Sequence, residues 1–331
     1  MRSARLRRPA PALSAPLEIG ESPKPIPEAG EALLRVSACA VCRTDLQLAE
    51  GDVPLHRQPV VPGHQVVGRV EAVGADVDSV AIGDRVGAYW LASTCGECKF
   101  CRSSRENLCA KAEFTGWDRD GGYAEWMVAR AEYLVRIPDS FDDLDAAPLL
   151  CGGVIGYRAL RVSGIEPGGR LGLYGFGASA LTTIQVATHW GCRVAVCTRS
   201  EAEQQRAHEL GAAWAGGYDE RPPFLLDAAI TFAPVGAVIP PAVEALDRGG
   251  TVAINAIHLD HIPEFPYEPL WHERSITSVA NVTRQDAEEF IALAAEIPIR
   301  TEREEHPLSD ANLALQRVAD GSVNVAAVLI P

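Results

Sequence analysis

The sequence predicts an α/β protein of two domains, one rich in antiparallel β structure and one built on a doubly wound parallel sheet. With 331 residues the chain is longer than one ordinary hydrophobic core supports, since single cores stop growing near about 250–300 residues. Residues 1 to about 148 are rich in Gly and Pro and contain short Val-rich runs, which are typical of antiparallel strands joined by turns. From Pro148 onward, short apolar runs alternate with helical patterns, and this alternation predicts βαβ units.

The N-terminal segment is interpreted as a first strand and its loop. Its arginines are followed by prolines rather than by an apolar run, which argues against a targeting peptide. Residues 66–73 are Val-rich and predict a further strand. The arginines of this segment are Arg2, Arg5, Arg7 and Arg8.

The second half of the chain reads as a regular series of strands and helices. Strands are predicted at 170–175, 193–197, 225–233, 251–257 and 275–282, and helices at 178–190, 201–210 and 235–247. A helix near 309–320 and a strand at 325–330 are expected to return to the first domain. The first domain is therefore expected to comprise residues 1–148, completed by about 285–331, and the second residues 149–284.

The composition excludes several classes of function. Hydrophobic residues make up 47% and charged residues 22% of the chain, as in ordinary globular proteins. The formal net charge of -14 argues against a nucleic-acid or anionic-membrane partner, because either requires a basic face. No uninterrupted apolar run reaches the roughly 18 residues that a membrane-spanning helix needs. Nine cysteines, an odd number, fit a reducing compartment, so we predict a cytoplasmic protein.

Four cysteines in one short loop are the strongest single motif. Cys95, Cys98, Cys101 and Cys109 are separated by two residues, two residues and then seven. Four thiolates at such spacings suit tetrahedral Zn²⁺ in a closed structural site. Disulfides are the alternative, but the two-residue spacings favour one small cation over two bridges. A site in which protein fills all four positions is structural, so the chemistry must lie elsewhere.

Three further stretches contain potential metal ligands, and together they identify a family. Each is weak alone, because a single Cys or His is more often part of a core than a ligand. Combined with the cysteine loop and a Gly-rich strand–turn–helix, their order and spacing resemble the zinc-dependent alcohol dehydrogenases of the medium-chain dehydrogenase/reductase family, through essentially the whole chain. The stretches are Cys39-Ala-Val-Cys42-Arg43-Thr44-Asp45, Pro62-Gly63-His64-Gln65 and Leu149-Leu150-Cys151-Gly152-Gly153.

The resemblance implies a GroES-like catalytic domain, a Rossmann coenzyme domain and a second zinc in the cleft between them. By position, Cys42, His64 and Cys151 become the protein ligands of that zinc. Two thiolates, one imidazole and an open fourth position match a known type of catalytic site, in which Zn²⁺ polarises the substrate oxygen. Two zinc ions per chain are therefore expected.

The same resemblance gives roles to three neighbouring residues. Asp45 would accept a hydrogen bond from the other His64 nitrogen, Thr44 would bind the substrate oxygen and pass its proton onward, and Arg43 would reach the cofactor pyrophosphate. Each residue also has an ordinary structural interpretation. Asp45 suits a turn or cap, Thr44 a local backbone cap, and Arg43 a solvated surface.

Two departures from the family pattern bear on the mechanism. Gln47 stands where many relatives carry a proton-relay His, so the proton would have to leave through the cofactor ribose and water. Gln65 stands where many relatives carry Glu, and a neutral amide leaves a more positive site that polarises a carbonyl more strongly. These changes favour the carbonyl-reducing direction.

A dinucleotide fingerprint follows the strand at 170–175. Its residues are Gly175, Phe176, Gly177, Ala178 and Ser179, with Ala180 in place of a third glycine. The turn opens a helix whose N-terminus would hold the pyrophosphate.

Cofactor choice is expected to depend on Thr198, Arg199 and Ser200, at the end of the next strand. A hydroxyl and a guanidinium suit a 2′-phosphate, so we favour NADP(H) over NAD(H). Ser200 is alternatively explained as the first residue of a capping box, and Glu201 is placed to approach a bare ribose.

The predicted activity is hydride transfer between NAD(P)H and a small alcohol, aldehyde or ketone. Val53, Trp90, Leu91 and Trp117 are candidate substrate-pocket residues, with a role in the β core as the alternative. A zinc-free quinone or enoyl reductase of the same superfamily, and a cofactor-binding protein of low turnover, are the alternative functions. We also expect a homo-oligomer, a dimer or a tetramer.

Overall fold

The computed structural model describes residues 1–256, 259–297, 299–322 and 325–331. Its strands are β1 (Arg2–Leu6), β2 (Leu17–Glu21), β3 (Glu31–Ala40), β4 (Gln65–Val73), β5 (Arg85–Ala88), β6 (Leu91–Ser93), β7 (Glu113–Phe114), β8 (Trp126–Arg130), β9 (Val135–Arg136), β10 (Arg170–Tyr174), β11 (Arg193–Cys197), β12 (Trp214–Gly216), β13 (Leu226–Thr231), β14 (Leu246–Ile254), β15 (Ser275–Ser278), β16 (Arg303–Pro307) and β17 (Ala326–Ile330). Its α-helices are α1 (Arg43–Glu50), α2 (Asp143–Pro148), α3 (Val154–Ser163), α4 (Ala178–His189), α5 (Glu201–Glu209), α6 (Ile239–Ala245), α7 (Arg284–Glu296) and α8 (Ala311–Ala319).

The chain forms two compact units. The first unit contains Met1–Cys151, Asn281–Ala295 and Arg300–Pro331, and the second contains Gly152–Ala280 and Glu296–Ile299. The boundaries expected from the sequence, at residues 148 and about 284, stay a prediction. Among the described residues, no helix has both the length and the apolar character needed to cross a bilayer.

The first unit is built on a seven-stranded sheet in the order β16-β17-β3-β4-β5-β9, with β8 also paired to β3. All pairs are antiparallel except β16 with β17. Val66, Val70 and Leu34 lie in its core, because the β-branched and Leu side chains of β3 and β4 pack on one face of the sheet. The pairing of Ala40 with Gln65 brings the end of β3 beside the start of β4. The segments that follow β3 and precede β4 are therefore neighbours.

The second unit contains one six-stranded sheet in the order β12-β11-β10-β13-β14-β15, and every pair in it is parallel. Its central strands are buried and apolar, as expected for a parallel sheet covered by helices on both faces. The strand order reverses between β10 and β13, which is the position where doubly wound sheets bind dinucleotides. The expected α/β architecture is confirmed.

The predicted elements agree closely with the structure in most places. The strand at 193–197 is reproduced, and the first strand expected in the N-terminal segment is β1. Elements β4, β10, β13, α4, α5, α8 and β17 lie within two residues of their predicted bounds, whereas the strand predicted at 275–282 already ends at Ser278. Helix α6 is shorter than the predicted 235–247, because Pro240 and Pro241 occupy its first turn and β14 already begins at Leu246. Strand β14 starts five residues earlier than predicted, and residue 257 of that prediction lies outside the described residues. Helix α7 was not predicted.

Candidate metal centres and cofactor turn

The first group of metal ligands forms where β3 ends and β4 begins. Cys42 follows β3 as the N-cap of α1, and His64 directly precedes β4. Cys151 lies in a π-helical turn over Leu149–Gly153, a kind of irregularity that often marks functional sites. The ligand atoms of the three residues all lie within 4.8 Å of one another.

The spacing of these atoms fits zinc. The Cys42 and Cys151 sulfurs are 3.9 Å apart, and His64 Nε2 is 3.4 Å from the Cys151 sulfur. Zn–S bonds of about 2.3 Å and Zn–N bonds of about 2.0–2.1 Å in a tetrahedron require separations of roughly 3.8 Å and 3.5 Å. Two sulfurs and one imidazole nitrogen therefore fit three corners of a zinc-sized tetrahedron. Among the described His, Cys, Asp and Glu side chains, no fourth ligand atom joins this group.

Asp45 connects two of the three segments that carry these ligands, those of Cys42 and His64. It is fully buried, and its Oδ1 accepts from His64 Nδ1 at 3.1 Å and from the Gly63 amide at 3.2 Å. Its Oδ2 accepts from the Cys42 amide at 2.8 Å and from the Tyr123 hydroxyl at 3.2 Å. Because Nδ1 donates to Asp45, the Nε2 lone pair is directed to the metal position. The carboxylate also caps α1, so both sequence interpretations of Asp45 describe the same contacts.

The protons of this group are unevenly distributed. A hydrogen bond from the Cys151 thiol holds the pKa of Cys42 well below its usual range, and the same bond with burial raises the pKa of Cys151. Burial opposes a charge on His64, but the Asp45 carboxylate and Cys42 raise the pKa of His64 to about 10. Since a metal requires thiolates and a neutral imidazole, binding of a divalent cation releases protons from Cys151 and His64.

Three residues of α1 near the first ligand group, Arg43, Thr44 and Gln47, differ in their exposure to solvent. The Thr44 hydroxyl is half-buried, 3.8 Å from the Cys42 sulfur. Arg43, the first residue of α1, is exposed, and Gln47 is half-buried one turn further along the helix.

Gln65 has a structural explanation. Its buried side chain donates from Nε2 to the Ala40 carbonyl at 3.3 Å. A glutamate carboxylate in this position would face that carbonyl oxygen with no proton to donate, so the amide suits this backbone.

The cysteine loop forms the second ligand group. The Sγ separations are 3.9 Å for Cys95–Cys101, 3.5 Å for Cys98–Cys101 and 3.5 Å for Cys95–Cys109. These distances exceed the roughly 2.05 Å of a disulfide and match the edges of a zinc tetrahedron. All nine cysteines of the chain are free thiols. Four sulfurs within 4.8 Å therefore fit a closed zinc site.

Backbone amides make this loop suited to thiolates. Hydrogen bonds from the amides of Glu97 and Cys98 lower the pKa of Cys95 to about 6. Burial raises the pKa of Cys109 to about 11, although the Lys111 amide donates to its sulfur at 3.3 Å. Metal binding to the buried Cys109 therefore also displaces a proton.

The glycine turn after β10 has the properties of a dinucleotide cradle. Gly175 has φ +91°, and a Cβ there would lie 2.8 Å from the Ala233 amide nitrogen, so the turn itself requires glycine. Gly177, the N-cap of α4, has a negative φ and no atom within 4 Å of a built Cβ. The fold does not require glycine at position 177. The open space instead fits the close approach of a phosphate to the helix N-terminus.

The residues at the end of β11 divide into buried and exposed. Thr198 is buried, and its hydroxyl donates to the Glu203 carboxylate. Ser200 is exposed and caps α5 by accepting from the Glu203 amide at 3.3 Å. Arg199 and Glu201 are exposed. The groups free to meet a ribose or its phosphate at this edge are therefore Arg199, Ser200 and Glu201.

Two of the candidate pocket residues are brought together beside His64. Trp90 and Trp117 are half-buried with ring centroids 5.8 Å apart, and Trp90 meets the His64 ring edge-on at 5.0 Å. Val53 is half-buried, and Leu91 is only 1% exposed within the core. Phe114, which was not among the predicted residues, stacks on both indoles, and its position three residues before Trp117 was the available signal.

Comparisons with known proteins agree with this arrangement. The alcohol dehydrogenase GroES-like domain family matches residues 28–139, and the zinc-binding dehydrogenase family matches residues 180–296. The chain is 48% identical to the "Probable alcohol dehydrogenase AdhA" of Mycobacterium tuberculosis, over 100% of this chain and 97% of the relative. It is 35% identical to an alcohol dehydrogenase of Geobacillus stearothermophilus, over 95% and 96% of the two chains. The crystal structure of AibC superposes with a TM-score of 0.91 at 28% identity, covering 100% of this chain and 96% of AibC.

Replacing Asp45 by Asn should weaken metal binding at the first ligand group. The amide retains the size of the side chain but loses the charge that orients His64, and such changes lower metal affinity about 10–100-fold. Zinc retention against a graded chelator series, read by elemental analysis, measures the effect. Asp286→Asn is the matched control, because Asp286 is equally buried and caps α7 through Thr283. Equal zinc retention in the two variants would contradict the role of Asp45.

Proposed function

The chain belongs to the zinc-type alcohol dehydrogenases, oxidoreductases that act on alcohols, and on that premise we propose that it holds two zinc ions and transfers hydride between NADP(H) and an alcohol, aldehyde or ketone. The observation that carries the proposal is the close grouping of Cys42, His64 and Cys151, three protein ligands for a metal that takes four. Zn²⁺ at such a site supplies Lewis acidity toward a substrate oxygen. The buried Asp45 keeps the imidazole in the tautomer that this task requires.

The two ligand groups are proposed to serve different purposes. The four-cysteine loop is closed by protein on all corners and stabilises the fold, whereas the Cys42 group leaves room for substrate. The nine free thiols support a reducing, cytoplasmic setting. Small alcohols and carbonyl compounds are the proposed partners, and a homo-oligomer, dimer or tetramer, stays a prediction.

The metal content tests the assignment of two sites. Elemental analysis of fully active protein should find two zinc atoms per chain. Cys98→Ser should lower the unfolding temperature or the solubility, because it opens the closed site. Cys151→Ser should stay folded and lose activity, because it damages only the open site. One zinc per chain in fully active protein would refute the two-site assignment.

Thr44 is proposed to manage the proton of the substrate oxygen. Its hydroxyl lies 3.8 Å from the Cys42 sulfur and therefore next to the ligand group. A hydroxyl both accepts and donates, and it therefore serves alcohol oxidation and carbonyl reduction alike. Gln47 on the same helix cannot titrate, so the onward path is proposed to run through water and the cofactor ribose.

Removing the Thr44 hydroxyl should abolish most activity in both directions. We expect Thr44→Ala to reduce kcat by about 10²–10⁴-fold, the usual effect of losing a positioned proton-transfer group. Thr44→Ser keeps the hydroxyl and should recover most of the rate. Steady-state kinetics of both variants, with zinc content checked, make the measurement. Near-normal turnover by Thr44→Ala would mean that the substrate oxygen binds elsewhere.

Preference for NADP(H) is proposed from the charge at the end of β11. Arg199 is exposed there, and the nearby Glu203 carboxylate accepts a hydrogen bond from the Thr198 hydroxyl. A guanidinium binds phosphate through paired hydrogen bonds, whereas the exposed Glu201 is the group at this edge that would meet a bare ribose. Ser200 keeps a hydroxyl proton to donate while it caps α5.

Arg199→Ala should weaken NADPH far more than NADH. We expect a loss of about 1.5–3 kcal/mol for NADPH, the value of a hydrogen bond to a charged group. Fluorescence titration of both cofactors gives the dissociation constants, and the exposed Arg248, replaced by Ala, controls for loss of a surface charge. Equal weakening of both cofactors, or tighter NADH binding by the unmodified protein, would show that Glu201 or the backbone serves a bare ribose.

A further inference from the structure

We propose that Asn281 connects the cysteine loop, residues 95–109, to the first ligand group, so that metal affinity at the first group depends on an ordered loop. The inference rests on the two metal sites of the proposed function and assigns a role to a residue that binds neither metal. Asn281 is a positioning residue, because it acts on the His64 ligand through Trp90.

The cysteine loop is the connection between two very short strands. Strand β6 has three residues and β7 has two, and they pair antiparallel. Cys95 lies just after β6, and Cys109 lies just before β7. An isolated pair of such short strands is not stable in water. The pairing of β6 with β7 therefore depends on the closed loop between them.

Trp90 stands at the base of this strand pair and against a metal ligand. It directly precedes β6, and its carbonyl accepts from the Thr115 amide, directly after β7, at 2.9 Å. Its ring meets the His64 ring edge-on, with centroids 5.0 Å apart and planes at 76°. Contacts of this kind limit the rotation of a ligating imidazole and so keep its nitrogen directed to the metal position. Displacement of Trp90 would therefore loosen His64.

Asn281 joins the side chain of Trp90 to the far end of the loop. Its Oδ1 accepts from Trp90 Nε1 at 3.1 Å, and its Nδ2 donates to the Asn107 carbonyl at 3.3 Å. Asn107 lies two residues before the loop ligand Cys109. A carboxamide carries both an acceptor and a donor, so one side chain holds the ring and the loop together.

The backbone around Asn281 provides a firm support for this amide. Asn281 has φ +52°, in the left-handed region that Asn and Asp tolerate better than most residues. The next two residues, Val282 and Thr283, are buried, and Thr283 caps α7 together with Asp286. The side chain that connects the loop to Trp90 is therefore carried by an ordered helix start.

A second contact holds the same part of the loop when Asn281 is changed. The Arg284 amide donates to Glu106 Oε1 at 2.9 Å, and the buried Glu106 accepts at its carbonyl from the Cys109 amide at 3.0 Å. A substitution at Asn281 should therefore free Trp90 from the loop without detaching the loop from α7.

The test separates the two hydrogen bonds of Asn281. In Asn281→Asp, a carboxylate oxygen still accepts from Trp90 Nε1, but no proton remains for the Asn107 carbonyl. The full-length protein is loaded with Co²⁺ in place of zinc, because cobalt bound by four sulfurs and cobalt bound by two sulfurs and one nitrogen absorb at different wavelengths. The chelator concentration that removes half of the cobalt from the first group should fall about 2- to 30-fold, the range found for residues between coupled sites.

Asn312→Asp is the matched control. Asn312 is half-buried like Asn281 and makes the same pair of bonds, accepting from the Leu17 amide and donating to the Leu17 carbonyl, both at 2.9 Å. These bonds join α8 to β2 instead of the loop to Trp90. Asn312→Asp should therefore leave cobalt at the first group as firmly held as in the unmodified protein.

Reciprocity supplies a second measurement, one that a purely structural role of Asn281 would not produce. If the loop strengthens the first group, metal at the first group must strengthen the loop by the same factor. Cys151→Ser, which damages the first group, should therefore make the loop release cobalt about 2- to 30-fold more easily. Asn281→Asp should remove that difference, because it interrupts the connection.

The outcomes are distinguishable. Equal cobalt retention at the first group in Asn281→Asp and Asn312→Asp would overturn the inference. So would an effect of Cys151→Ser on the loop that persists undiminished in the Asn281→Asp protein. Uptake of cobalt with only one type of spectrum by the unmodified protein would instead overturn the two-site assignment of the proposed function.

Discussion

The buried carboxylate of Asp45 is the constraint on which the first metal group depends. An isolated charge inside a protein is costly, and this one is compensated by four hydrogen bonds. Those bonds come from the Cys42 segment and the His64 segment, two of the three that carry metal ligands, and from Tyr123 elsewhere in the chain. The same contacts that make the charge tolerable therefore also set the separation of Cys42 and His64. The Asp45 carboxylate therefore caps α1, orients a metal ligand and joins two packed segments.

The two groups of ligand residues were predicted from the sequence in different ways. The spacing of the cysteine loop is local and needs no knowledge of tertiary contacts, whereas the motifs of Cys42, His64 and Cys151 are weak alone and were assigned through their order and spacing along the whole chain. Local information also predicted β11, an apolar run that the parallel sheet buries on both faces. Helix α7 could also have been predicted, since Thr283 and Asp286 form a reciprocal cap that a Thr-x-x-Asp pattern indicates.

Other features were beyond sequence reasoning because their cause is tertiary. Asp247-Arg248-Gly249-Gly250 has the composition of a turn, yet it lies inside β14, where the register with β13 shifts and Gly249 has φ +74°. The hydrogen bonds of the Asn281 side chain could not be predicted from the sequence, because its partners Trp90 and Asn107 are 191 and 174 residues away in the chain. The hydrogen bond from the Thr198 hydroxyl to the Glu203 carboxylate likewise depends on side-chain direction, which composition does not reveal.

The sequence separation of the ligands has a thermodynamic consequence. Cys95 and Cys109 are 14 residues apart, whereas Cys42 and Cys151 are 109 apart, so closing the second loop in a flexible chain costs roughly 1.8 kcal/mol more. An unfolded chain therefore competes for zinc chiefly through the cysteine loop. A ligand stabilises a native state only to the extent that the denatured state fails to bind it. Zinc at the distant ligands is coupled to folding almost in full, while zinc at the cysteine loop stabilises the protein by less than its affinity alone would indicate.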